Sequence, residues 1–120
     1  MQYLLLMYAN EAAWDSMPGD QSSAMMTEFG AYTQDIIASG HFKAGNRLDL
    51  VSKATTVRVR NGKRSVTDGP FAETKEQLGG YYLIEASDLD EAIELAGRVP
   101  GARVGSVEIR PIPPMGPPPA

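Results

Sequence analysis

Gly79-Gly80-Tyr81-Tyr82-Leu83-Ile84-Glu85-Ala86-Ser87-Asp88-Leu89-Asp90-Glu91-Ala92 is the stretch on which the fold turns. Tyr81 to Ala86 carry large groups at consecutive positions, and successive side chains of a strand leave on opposite faces, so both faces of this strand need cover. Ser87 and Asp88 end it and open a helix. Asp88 and Glu91 have the spacing of an N-cap and its N3 acid, while Leu89, Ala92, Ile93 and Ala96 recur at helical spacing as the expected buried face. Gly97, Pro100 and Gly101 stop that helix, and Val104 to Arg110 reads as a further strand with Val107 and Ile109 on one side. The second half of the chain is therefore a strand, a helix and a strand.

The first half repeats that order. Gln2-Tyr3-Leu4-Leu5-Leu6-Met7-Tyr8 is apolar without alternation, which predicts a central strand covered on both faces. Met25, Phe29, Tyr32 and Ile36 then mark a helix over Ser22 to Ser39, ended by Gly40. Gly30 within it costs about 1 kcal/mol relative to Ala, which predicts that something must approach the helix closely there. His41 to Leu48 forms a second strand, with His41 itself a surface or turn-packing imidazole.

Between the halves, Thr55 to Arg60 and Lys63 to Thr67 flank Asn61-Gly62, a strong signal for a two-residue hairpin. Its register pairs Val57 with Val66 and Val59 with Arg64, giving a half-buried hairpin with a basic outer face. The whole order predicts an α+β fold: a ferredoxin-like split βαβ sheet with an inserted β-hairpin and both helices on one face. The sheet's other face then needs cover, and a second copy of the chain is the expected cover, giving a homodimer.

The 120 residues suit one domain, expected over residues 1–112, followed by a disordered proline-rich tail over 113–120. Having no cysteine, the chain excludes disulfides and thiolate chemistry, and its one histidine argues against a histidine-built metal centre; no metal and no cofactor are expected. The net charge of −4 argues against nucleic acid as a partner. Tyr3 to Tyr8 is too short to span a bilayer, so a cytoplasmic protein without membrane contact is expected. The charge is uneven, since residues 41–64 hold seven bases and one acid whereas residues 1–40 hold five acids and no Lys or Arg.

Turn formers, carboxylates and a lysine crowd into Asp68-Gly69-Pro70-Phe71-Ala72-Glu73-Thr74-Lys75-Glu76-Gln77-Leu78-Gly79-Gly80. Asp-Gly-Pro sets a tight turn, because Gly69 accepts backbone angles that other residues resist and Pro70 fixes φ. With Glu73-Thr74-Lys75-Glu76 and the Gly79-Gly80-Tyr81 strand, this stretch resembles the DGPF branch of the YCII-related family, and the resemblance runs over nearly residues 1–112. It implies a dimeric α+β barrel. It also implies enzymes with a His and Asp pair in a cleft, at least one of them similar to a dehydrochlorinase, and an association of some members with sigma factors. The family's histidine in the first helix is not reproduced; its place falls near Glu28.

Carboxylates are the remaining acid and base groups. Glu28, beside the sheet-facing Phe29, and Asp68, in the turn, are the candidate catalytic residues, since partial burial raises a carboxyl pKa towards the range of a general base. Arg47 and Lys75 are candidates for holding an anionic substrate, Tyr82 and Tyr32 for donating hydrogen bonds, and Phe71 and Glu76 for lining the site. The set suits proton transfer with elimination or isomerisation on a small anionic organic ligand. The alternative is a non-catalytic regulatory or interaction module that acts with a sigma factor.

Overall fold

A computed structural model describes residues 1–115; the expected tail over 113–120 falls mostly in 116–120, outside the described residues. The elements are β1 (Gln2–Ala9), α1 (Glu11–Asp15), α2 (Gly19–Ala38), β2 (Phe42–Arg47), β3 (Thr55–Arg60), β4 (Lys63–Asp68), β5 (Gln77–Glu85), α3 (Leu89–Gly97) and β6 (Ser106–Pro111). Four strands form one sheet in the order β2-β5-β1-β6, with every neighbouring pair antiparallel. This is the α+β, ferredoxin-like arrangement expected from the element order. The apolar β1 lies in the interior of the sheet, where Leu5 faces Tyr82 on one side and Ile109 on the other.

One face of that sheet carries the core. Tyr3, Leu5, Tyr82 and Ile84 pack against Tyr32 and Ile36 of α2 and Ala92, Leu95 and Ala96 of α3. The Tyr32 hydroxyl donates to the Leu95 carbonyl at 2.8 Å, tying the two helices together. The face of α3 is turned slightly from the expected one: Ala92 and Ala96 are buried as expected, but Leu89 and Ile93 are 50% and 51% exposed, and Leu95 completes the buried stripe, with Val99 buried just beyond the helix. Both sets have helical spacing, and the buried one is that which meets Tyr32, Ile36 and the sheet.

Local chemistry sets the ends of the helices. Asp88 Oδ1 accepts from the Glu91 N–H at 2.9 Å, and Glu91 Oε1 accepts from the Ser87 N–H at 3.1 Å, so α3 opens with a reciprocal cap. His41 lies 3.1 Å by Nε2 from the same Glu91 oxygen and 2.7 Å by Nδ1 from Ser39 Oγ, and it thereby joins the end of α2 to the start of α3. The helix α2 begins at Gly19, three residues ahead of the expected Ser22. A short helix, α1, lies between β1 and α2; Asn10 Oδ1 caps it by accepting from the Ala13 N–H at 3.0 Å.

The hairpin stands apart. Strands β3 and β4 form a separate two-stranded sheet in the expected register, turned by Asn61 at φ 52° and Gly62 at φ 75°. Val57, Val59 and Val66 are 57%, 60% and 58% exposed, so the hairpin is not half buried as its alternation suggested. Among the described residues it has no ladder to the main sheet, and it projects: the chain measures 48 × 47 × 18 Å with a radius of gyration of 16.9 Å, against about 14 Å for a compact domain of this length. Gly69, at φ 105°, ends the arm and donates its N–H to the Ala54 carbonyl at 2.7 Å, closing the arm's base.

Candidate functional site

Between α2 and the helix-facing side of the sheet lies a cavity of about 450 Å³. Its sheet wall depends on two glycines. A Cβ on Gly45 would lie 2.8 Å from Tyr82 Cδ1 and 3.2 Å from Phe42 Cε2, so the bare backbone lets both rings lie against β2. A Cβ on Gly80 would lie 3.1 Å from Met7 Cε and 3.0 Å from the Asn46 carbonyl. Tyr82 meets Phe42 and Tyr32 edge to face, with centroids 6.2 Å and 5.4 Å away, which fixes its ring from two sides.

The helical wall comes from Met26, Phe29, Gly30 and Thr33, one face of α2 at i, i+3, i+4 and i+7. A Cβ on Gly30 would meet nothing within 4 Å. The missing side chain leaves room in the cavity rather than admitting a neighbouring chain segment. Trp14 of α1, with Leu48 and Leu50 after β2, completes the lining, so the cavity is predominantly apolar and aromatic.

A few polar groups interrupt it. Thr33 Oγ1 lies 2.6 Å from Tyr82 Oη and donates to the Phe29 carbonyl at 2.8 Å. Arg47 lies two residues beyond Gly45 on β2 and so shares its face of the sheet. It lines the cavity yet forms no ion pair among the described residues. Glu11 brings a carboxylate to the lining, where both oxygens accept from the Val51 N–H, at 3.2 Å and 3.4 Å. Its charge is thus partly engaged by the loop backbone, while that of Arg47 is not.

Of the residues singled out from sequence, Arg47 and Tyr82 line this cavity together. Tyr32 lies behind Tyr82 in the core, where burial, and then the neighbouring Tyr82, push its phenol up to about 12. Glu28 is bound by the Arg103 guanidinium at a separate depression beside Tyr32 and Asp35. Asp68 ends the arm, Phe71 is 78% exposed and gives its carbonyl to the Arg58 guanidinium at 3.2 Å, and Lys75 is exposed. Glu76 accepts from the Ser106 hydroxyl at 2.8 Å. None of Asp68, Phe71, Lys75 and Glu76 lines the cavity.

Glu11, Trp14, Met26 and Thr33 were not anticipated. Met26 and Thr33 flank Phe29 at helical spacing, a pattern that marks them as sharing its face, and Gly30 was the sequence's own pointer to this wall. Among the described residues no group of three or more His, Cys, Asp or Glu is arranged to hold a metal ion, and no helix is long and apolar enough to cross a membrane.

The family model of the YCII-related domain matches residues 1–116. The chain is also 36% identical over 114 residues to an uncharacterized protein of Rhizobium meliloti (strain 1021), covering 93% of this chain and 92% of that one.

Proposed function

The chain belongs to the YCII-related family, a match that takes in every element of the cavity, and from this premise we propose that it binds a small organic anion between α2 and the sheet. The observation that carries the proposal is Arg47. An exposed arginine without an ion-pair partner among the described residues lines a predominantly apolar cavity of about 450 Å³, within the size range of small-molecule sites. A guanidinium in such surroundings favours a carboxylate, which it can engage through two parallel hydrogen bonds. The aromatic and methionine walls suit a planar or branched apolar body. Proton transfer on such a ligand would need a base beside it, and Glu11 supplies the carboxylate that lines the cavity.

The experiment is thermal stabilisation by a panel of aromatic and aliphatic carboxylates, run on the natural chain, on Arg47→Gln and on Gly30→Leu. Stabilisation by carboxylates but not by their methyl esters, lost in both variants, supports the proposal. A response that survives both substitutions places binding elsewhere and overturns it.

We place the chain in the DGPF branch on Asp68 to Phe71, and we propose a homodimer formed through the sheet's second face. Leu4, Leu6 and Leu83 alternate with the core-facing Tyr3, Leu5, Tyr82 and Ile84 and remain only half covered, which supports that reading. Sedimentation at micromolar concentration tests it: a dimer that Leu6→Lys splits is expected, and a clean monomer of the natural chain ends the proposal.

A further inference from the structure

This inference rests on the cavity being the binding site and concerns what its floor selects. Thr33 and Tyr82 meet there through two hydroxyl oxygens 2.6 Å apart, a contact that requires one hydrogen between them. Thr33 has a single hydroxyl hydrogen. That hydrogen is directed 2.8 Å to the Phe29 carbonyl, one turn back along α2, and a carbonyl only accepts. The hydrogen between the two hydroxyls must therefore come from Tyr82. Having donated it, Tyr82 Oη keeps acceptor capacity alone, and it has no other hydrogen bond among the described residues.

We infer that the Thr33–Tyr82 pair makes the cavity floor a hydrogen-bond acceptor, selecting an aryl carboxylate that carries a hydroxyl or amino donor away from its acid group. Arg47 takes the acid, the rings of Phe29 and Phe42 take the aryl body, and Tyr82 Oη takes the donor. A ligand ending in a carbonyl, nitro or ether oxygen instead faces lone pair against lone pair. Thr33 acts here as a positioning residue, because it fixes the direction of the Tyr82 hydroxyl without itself meeting the ligand's donor.

The test measures dissociation constants by calorimetry for 3-phenylpropanoate and its hydroxy, amino and nitro ring derivatives, with the meta and para isomers of each. With the natural chain, the best hydroxy or amino compound should bind about three- to tenfold tighter than the unsubstituted acid, the range of one net hydrogen bond. The nitro compound should bind more weakly than either. Thr33→Val keeps the side-chain shape but releases the Tyr82 hydrogen, so donor preference should collapse and the nitro compound should gain. Tyr82→Phe, measured in parallel, should also abolish donor preference and gives the answer if Thr33→Val fails to fold.

Carboxylate binding that depends on Arg47 but shows no donor preference, or a preference unchanged in both floor variants, overturns this inference and leaves the anion site standing. Absence of binding by every acid in the series also overturns this inference, while the anion site itself stands or falls with the wider carboxylate panel.

Discussion

Gly45 and Tyr82 are direct partners across the β2–β5 pair, so close that a Cβ on the glycine would lie 2.8 Å from the tyrosine ring. The contact is with Cδ1, near the root of a ring held edge to face by Phe42 and Tyr32, so Tyr82 has little freedom to yield. Gly45→Ala should cost about 1–3 kcal/mol, the range for overpacking a filled site. Shifting the ring also breaks the Thr33 contact. Urea denaturation should show the lower midpoint, and carboxylate-induced stabilisation should fall with it; unchanged values of both would mean that the two strands are spaced differently.

Gly30 should respond in the opposite sense. Its Cβ position is open, so Gly30→Ala should gain up to about 1 kcal/mol from helix propensity alone. Gly30→Leu should keep the fold while filling the cavity. A variant more stable than the natural chain yet unresponsive to ligand is the expected signature, read by thermal melting with and without 3-phenylpropanoate.

Alkaline pH should expose the burial of Tyr32. Its pKa is about 12 in the folded chain against 10.0 for an ordinary tyrosine, because burial disfavours the phenolate. The unfolded chain therefore releases this proton first as pH rises. The stabilising contribution is complete below pH 10 and is lost as pH climbs from there to about 12, on the order of 2 kcal/mol in all. Tyr32→Phe should lose about 1 kcal/mol at neutral pH with its hydrogen bond to Leu95, yet lack this part of the alkaline loss. Parallel stability curves for the two proteins between pH 9 and 12 would contradict the assignment.

The arm should tolerate what the core does not. Val57→Thr, Val59→Thr and Val66→Thr, all at exposed positions, should each change stability by less than about 0.5 kcal/mol in the monomeric chain. Val99→Ala, at a fully buried position, should cost about 2 kcal/mol or more. A large loss at any arm valine would show that this face packs against something.

How far the sequence anticipated the structure depended on how local the cause was. The Asn61-Gly62 turn, the Asp88 cap and the runs of β1 and β5 arise from neighbours in sequence, and they were legible. The short α1 was not, since Glu11 to Asp15 is too brief to show a helical period. On α3 the sets 89/92/93/96 and 92/95/96 both satisfy helical spacing, and it is packing against Tyr32, Ile36 and the sheet that buries the second. The cavity was partly visible, through Arg47, Tyr82 and Gly30, but Trp14, Phe29, Gly45 and Tyr82 converge only after the sheet has formed. Asp68 to Glu76 is dense in turn formers and charges, and there Gly69 closes the base of the arm.

The strand order has a consequence for the making of the protein. β1 is synthesised before every other strand of the sheet, but both of its neighbours, β5 and β6, come after the other elements of the first half and the hairpin. Roughly 70 residues must follow Ala9 before Gln77 is added, which takes about 4 to 14 s at typical rates of synthesis. For that interval the apolar β1 has neither of its partners, and the sheet closes only once β5 and β6 have followed. The hairpin, by contrast, pairs residues close in sequence and can form at once, so the arm is expected to be built before the sheet from which it projects.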